Sequence, residues 1–328
     1  MKKIVNLVAT ALLAASTISF VSCEKTDDFA PSIANIAVSN PAFSQLEAAA
    51  VQGGVAVVLS NRNAGDPSGK FTVFAPTNDA FARLGLKVEG DFAALNTSFL
   101  TNTLLYHVSN GVLAGSSITA NVKTSSLLGP TRRYISRGSE RYINGSKILA
   151  TDVAAENGTV HVIDKVLLAS GADIVQTAIA LTQSKVFSGP ELTFLVEAVV
   201  YADLAGALTA STGSPSFTVY APTDAAFIQL GKDLGVSLTV AADIRKLPKE
   251  TVKAVLLNHV INNGGRFTSE LSGTSETPLG GTALTYGAFN NGIYTVKGKN
   301  NATVANMVIP DVQTTNGVVH VIDRVLLP

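Results

Sequence analysis

The chain is 328 residues long, a length that accommodates two ordinary domains, and with 46% hydrophobic against 15% charged residues each half can bury a core of its own. Its 24 basic residues balance 24 acidic ones, so there is no broad positive field to grip a phosphate backbone, and nucleic-acid binding is set aside. Trp is absent and Gly is frequent, a composition of turn-rich globular domains and not of a disordered chain.

At the N-terminus, Met1-Lys2-Lys3 makes a positive start, residues 4–21 form an apolar run diluted by Ala, Ser and Thr, and the run ends at Ser22-Cys23. A short apolar run in this position reads as a secretion signal over residues 1–22. Its removal takes away Lys2 and Lys3 and leaves 22 basic against 24 acidic residues, a net charge of −2. Phe20-Val21-Ser22-Cys23 resembles the lipobox of bacterial lipoproteins, with Phe where Leu is commoner. That resemblance implies acylation of Cys23 and a lipid anchor in the outer membrane. The plainer alternative is ordinary cleavage that leaves a free thiol. Cys23 is the sole cysteine, so the chain can form no internal disulfide, and with Cys23 acylated it has no thiol for catalysis. Residues 23–32 are polar, end in Pro31-Ser32 and read as a flexible tether. Lys25 followed by Asp27-Asp28 resembles the surface-export signal of Bacteroidetes lipoproteins, which implies a position facing the cell exterior.

Beyond the tether the chain repeats itself. Phe71-Thr72-Val73-Phe74-Ala75-Pro76-Thr77 recurs as Phe217-Thr218-Val219-Tyr220-Ala221-Pro222-Thr223. Leu104-Leu105-Tyr106-His107-Val108 recurs as Leu256-Leu257-Asn258-His259-Val260, and Asn157-Gly158-Thr159-Val160-His161 as Asn316-Gly317-Val318-Val319-His320. The offset grows from 146 (Phe71 to Phe217) through 152 (Leu104 to Leu256) to 159 (Asn157 to Asn316), which asks for only two small insertions. A period of this size is a whole domain. The boundary falls between residues 168 and 173, giving domains at 33–169 and 170–328.

Each block predicts an element. Residues 71–74 favour a strand that stops at Ala75-Pro76, because proline cannot continue a central strand. Thr77 or Asn78 then caps a helix that turns Ala80, Phe81 and Leu84 to the core. Val252, Val255, Leu256 and His259 follow the spacing of a buried helical stripe, and Pro248 suits that helix's first turn. Asn157-Gly158 and Asn316-Gly317 predict tight turns with positive φ, each followed by one strand, residues 160–168 in the first copy, that is apolar on both faces.

These blocks, in this order, resemble the fasciclin domain, and the resemblance covers nearly all of residues 31–328. The second copy departs from the pattern by carrying Asn258 where the first has Tyr106. The resemblance implies an α+β fold, two tandem fasciclin-like domains, each a β-sandwich wedge with helices packed around it. It also implies adhesion to cells, matrix or surface glycans.

His107, His161, His259 and His320 all fall at repeated positions. No two histidines have the spacing of a zinc site and no cysteine is available to help, so no metal and no cofactor is expected. A carbonyl or the helix dipole can satisfy His107 and His259 near a helix C-terminus. His161 and Asp164, like His320 and Asp323, are three apart on a strand and face opposite ways, so they do not form an acid–base dyad. The aspartates are expected to accept hydrogen bonds from backbone amides instead. No nucleophile elbow, phosphate loop or dinucleotide fingerprint occurs, and the chain is read as a non-enzyme.

Two segments remain as candidate binding residues. Tyr106-His107 matches the pair that mediates adhesion in animal fasciclin domains, and its plainer reading is a core pair. Arg132, Arg133, Tyr134, Arg137, Arg141 and Tyr142 crowd four arginines and two tyrosines into residues 132–142, the residue types that dominate binding hot spots. The bland alternative is a hairpin whose long side chains cover its own edges. The expected function is a surface-anchored adhesion or matrix-interaction protein whose partner is a cell-surface or matrix protein or glycan. The alternative is a glycan-binding accessory lipoprotein of an outer-membrane uptake system.

Overall fold

The computed structural model describes residues 30–183, 192–209, 216–271, 273–290 and 292–328. The leader, Cys23 and residues 24–29 of the tether lie outside the described residues. The first domain contributes helices α1 (Ile33–Ser39), α2 (Ser44–Gln52), α3 (Ala56–Ser60), α4 (Asn78–Ala82) and α5 (Thr97–Tyr106). Its strands are β1 (Phe71–Pro76), β2 (Val108–Asn110), β3 (Lys123–Ser125), β4 (Thr131–Arg137), β5 (Glu140–Ile143), β6 (Ser146–Ala155), β7 (Gly158–Ile163) and β8 (Leu168–Ala169). The second domain has α6 (Ile174–Gln183), α7 (Thr193–Tyr201), α8 (Ala205–Leu208), α9 (Asp224–Leu234) and α10 (Lys249–Leu257). Its strands are β9 (Phe217–Pro222), β10 (Val260–Ile261), β11 (Ser275–Glu276), β12 (Leu284–Tyr286), β13 (Thr295–Lys297), β14 (Ala305–Thr314) and β15 (Gly317–Ile322).

The two sheets share one strand order, β2-β1-β7-β6-β5-β4-β3 and β10-β9-β15-β14-β13-β12-β11. Only β1 with β7 and β9 with β15 run parallel within these orders, and the other pairs are antiparallel. Strand alternation divides the core. Val73 and Ala75 face the helices, where they join Leu46, Ala49, Leu100 and Leu104. Phe74 faces the other way, into a second cluster with Tyr106, Ile118, Tyr134, Ile143 and Ile163. Each sheet therefore curls, barrel-like, around its own filling while the helices cover its outer face, and both domains are α+β as expected.

Local chemistry sets the elements. Thr77 caps α4 by accepting from the Ala80 amide, and Thr223 caps α9 through Ala226. Pro248 stands just ahead of α10, and His259 follows that helix's last turn, buried with Val252 and Leu256. The structure corrects three details of the sequence reading. β1 runs on through Pro76, which pairs with Ile163 at the sheet's end. Neither Asn157 nor Asn316 has positive φ. Each asparagine is instead a buried clamp: the Oδ1 of Asn157 accepts from the Ile33 amide at 2.9 Å and its Nδ2 donates to the Leu59 carbonyl at 2.8 Å. The glycine after it is required by close approach, since a Cβ on Gly158 would lie 2.1 Å from the Phe71 carbonyl oxygen across the parallel pair.

The third correction matters most for function. Residues 160–168 do not form one strand. β7 ends at Ile163, and β8 leaves the first domain to pair, in parallel, with β14 of the second, Leu168 opposite Val312 and Ala169 opposite Gln313. The two domains are joined by shared sheet as well as by chain.

Candidate binding surface

The β4–β5 hairpin carries the Arg/Tyr cluster, and alternation along β4 sends its side chains two ways. Arg132 and Tyr134 point inward and are buried. The guanidinium of Arg132 donates to the Tyr106 carbonyl at 2.9 Å and the Ser125 carbonyl at 3.2 Å, bonds Ser109 Oγ, and stacks over the Phe74 ring at 5.1 Å. Among the described residues, its Nε has no hydrogen-bond partner. Tyr134 shares a hydrogen bond with Thr124.

Arg133 and Arg137 point outward and meet the second domain. Arg133 donates to the Gly265 carbonyl at 2.7 Å, pairs with Glu270 at 3.0 Å and lies 4.7 Å over Phe267. Arg137 donates to the Leu271 carbonyl at 2.9 Å and to Tyr294 Oη at 2.5 Å, with Phe289 stacked 4.0 Å away. Tyr142 is buried, donates to Glu140 and packs near Phe289. Arg141 bonds within its own domain, donating to the Gly115 carbonyl at 2.6 Å. Half of the hairpin's candidate ligand face, Arg133, Arg137 and Tyr142, is therefore the contact between the domains.

Tyr106 and His107 are also committed. The Tyr106 hydroxyl accepts from Asn144 Nδ2 at 2.8 Å and bonds the Gln313 side chain of the second domain. Burial pushes it up to about 12. His107 is fully enclosed, with Nδ1 donating to the Thr103 carbonyl at 2.7 Å and Nε2 accepting from the Leu167 amide at 2.9 Å. His259 repeats this with Val255 at 2.8 Å and Leu326 at 2.8 Å. Each ring is thus held neutral, and burial brings both down to about 4. His161 and His320 each accept an amide on Nδ1, from Asp152 and Asp311, and donate from Nε2 to the carbonyls of Leu113 and Arg266. Asp164 and Asp323 accept from the amides of Lys147 and Asn306, each at 2.7 Å.

The centre of the interdomain contact lies at residues that sequence reading passed over. Lys165 crosses the boundary to Asp311 at 2.7 Å, to the Gly292 carbonyl at 2.6 Å and to Thr268 Oγ1 at 3.1 Å. Burial raises the Asp311 carboxyl, but Lys165 and His320 outweigh it and hold the group below the usual range. Gly145 is small because a Cβ there would sit 1.9 Å from Asp311 Oδ2. Beside the pair, a cavity of about 210 Å³ is lined by Ala80, Leu84, Val166, Ile293, Met307 and Pro310, among others. The available signal was a repeat signal: Asp311 has its counterpart in Asp152 at the same 159-residue offset as the two terminal histidines. Among the described residues, no three His, Cys, Asp or Glu side chains are grouped as a metal site requires, and no helix is long and apolar enough to cross a membrane.

Comparison with known proteins agrees with the repeat. The family model described as Fasciclin domain matches twice, at residues 41–169 and 190–328. Protein sll1483 of Synechocystis sp. is 34% identical over 162 residues, covering 49% of this chain and 86% of that protein. Human periostin is 27% identical over 266 residues, covering 79% of this chain. The porcine transforming growth factor-beta-induced protein ig-h3 is 28% identical over 267 residues, again 79% of this chain. This chain spans only 28% and 35% of those two animal proteins. A solved FAS1 domain pair from the insect cell adhesion molecule fasciclin I aligns over 79% of this chain and 89% of its own, with 19% identity and a TM-score of 0.38.

Proposed function

The chain belongs to the fasciclin domain family, and from that premise we propose that it is an exported, lipid-anchored surface protein that acts by binding and not by catalysis. Fasciclin domains are generally cell-adhesion or matrix-interaction modules, and proteins built from them are extracellular or surface-associated. The observation that carries the reading is the tandem match at residues 41–169 and 190–328. The leader and lipobox-like Cys23 supply the route to the surface, with the tether holding the first domain away from the bilayer. Its partner is a cell-surface or matrix component. Oligosaccharide capture for an uptake system is the less favoured reading, because Arg133, Arg137 and Tyr142, the side chains suited to a sugar face, are engaged between the domains.

The test is protease shaving of intact cells, followed by immunoblotting, with lysed cells as control. Surface adhesion predicts that the protein disappears from intact cells, and that cells lacking it attach less to a matrix-coated surface. Protection until lysis would overturn the surface placement. Saturable binding to one defined oligosaccharide, with attachment unchanged, would replace adhesion with glycan capture.

A further inference from the structure

The contact between the domains encloses space that its own side chains do not fill. The cavity of about 210 Å³ beside Lys165 takes its walls from both domains, Ala80, Leu84 and Val166 from the first and Ile293, Met307 and Pro310 from the second. Two features keep it open. Gly145 cannot carry a side chain against Asp311. β14 shifts register between Ile309 and Val312, a bulge that bends the strand at Pro310.

The polar side chains of its floor are already matched to one another. Lys165 places its three donors on Asp311, the Gly292 carbonyl and Thr268 at 2.7, 2.6 and 3.1 Å. Asn144 donates to the Tyr106 hydroxyl at 2.8 Å and accepts from the Arg133 amide at 2.9 Å. Ser146 Oγ accepts from the Lys165 amide at 2.9 Å and donates to Asp164 at 3.1 Å. Among the described residues that line the cavity, no buried side-chain nitrogen or oxygen lacks a hydrogen-bond partner. A water needs two to four such partners, and apolar cavities of about 150 Å³ stay dry and take benzene. The space therefore suits hydrocarbon, and scaling from benzene's six carbons gives room for about eight. It opens to solvent at Arg83, which is exposed, and at Val308, which is 39% exposed. The other charges in the lining, Lys165 and Asp311, are paired with each other, so the rim is cationic. The Arg83 guanidinium has a contact of its own, and its five N–H donors leave room for a carboxylate besides. The second copy has Gln229 at this position, so the shared fold does not require the charge.

We infer that this interdomain cavity binds a medium-chain fatty carboxylate. The tail, of about eight carbons, lies between the domains against Leu84, Val166 and Met307, and the carboxylate leaves at the mouth to meet Arg83. Because the tail touches both domains at once, the ligand stabilises their paired arrangement over any in which they part. Neither adhesion nor surface placement enters this inference, and the purified chain in solution suffices to test it.

The probes are straight-chain carboxylates from butanoate to dodecanoate, titrated into the full chain by isothermal calorimetry at pH 7.5. Saturable binding at one site is expected, tightening about fourfold per added methylene and levelling off near eight carbons, where the tail outgrows the cavity. Arg83→Gln, which installs the second copy's residue, should weaken octanoate about three- to fivefold, the loss of one exposed ion pair, and leave 1-octanol unaffected. Leu84→Trp and Val308→Trp fill the cavity from one domain and from the other, and each should abolish binding of both probes while circular dichroism stays unchanged. No saturable binding by the wild-type chain, or affinity that climbs through dodecanoate without levelling, would overturn the assignment. So would octanoate binding that a folded Leu84→Trp or Val308→Trp chain retains, which would move the tail to one of the cavities beneath the helices. Octanol binding as tightly as octanoate, with both indifferent to Arg83→Gln, would make the ligand an uncharged one and equally overturn it. Protease shaving of cells is blind to all of these outcomes, so this site and the surface reading fail separately.

Discussion

His107 and His259 show what a repeated histidine does when it is neither ligand nor base. Each closes the end of a helix by donating to the carbonyl four residues back, and receives the amide of the segment that ends its domain, Leu167 or Leu326. The ring is therefore a bridge between helix and terminal segment, and it works only when neutral. An unfolded histidine titrates near 6.5 and these two near 4 in the fold, so between those values the unfolded chain binds more protons than the folded one. Stability is then complete above pH 6.5 and falls as the pH drops toward 4, by on the order of 3 kcal/mol per domain at the limit. Urea denaturation at pH 7.5, 5.5 and 4.5 should show the midpoint falling across this window; a flat profile would contradict the buried neutral ring. His107→Ala should cost roughly 2–4 kcal/mol at pH 7.5, since it leaves the Leu167 amide and Thr103 carbonyl without partners. It should also shallow the pH slope.

At the scale of elements, the β4–β5 hairpin is where sequence and structure part. Its residue types were legible as a recognition surface, and they do recognise something: the second domain. Alternation separates Arg132 and Tyr134 from Arg133 and Arg137, but periodicity names no partner. The groups they meet, from Gly265 to Tyr294, lie more than 130 residues on in two of the three hydrogen bonds, and farther still in the other. The strands, the Thr77 cap and the domain repeat were readable because they depend on neighbouring residues. The break of the closing strand at Ile163 was not, because a run of apolar residues looks the same whether it is buried in its own domain or in the next. Arg133→Ala with Arg137→Ala should loosen the domain contact by about 1–3 kcal/mol, a modest loss because the Arg133–Glu270 pair is partly wet, its side chains 28% and 21% exposed. Small-angle scattering should register a larger radius of gyration, and limited proteolysis should cut faster near residues 169–173. An unchanged radius and cutting rate would mean that β8 and the Lys165–Asp311 pair fix the domains without the hairpin arginines.

The molecule as a whole is a directional pair, and its direction comes from residues that the repeat does not share. Arg133 has no arginine at its counterpart, Thr285, and Gln313 is replaced by Ala154 at the matching position of the first domain, so the inner faces recognise each other in a way the outer faces cannot copy. Lys165 and Asp311 sit at the middle of that recognition, their side chains only 8% and 10% exposed. A buried pair is nearly neutral when intact but costly when halved, because the remaining charge is left without water or partner. Asp311 does more than balance Lys165: it also holds the Thr268 amide at 2.6 Å, so the ion pair is coupled to the 3₁₀ turn against which the first domain rests. Removing the cation therefore strikes the second domain and the interface together. Lys165→Ala should cost about 3–5 kcal/mol and split one calorimetric unfolding transition into two, the lower belonging to the second domain. Asp311→Asn in the same chain should recover part of the loss, since the amide keeps the bond from Thr268 and leaves no orphaned charge. If Lys165→Ala unfolds in a single transition at the wild-type temperature, the domains are held by β8 and the hairpin, and the central ion pair is dispensable.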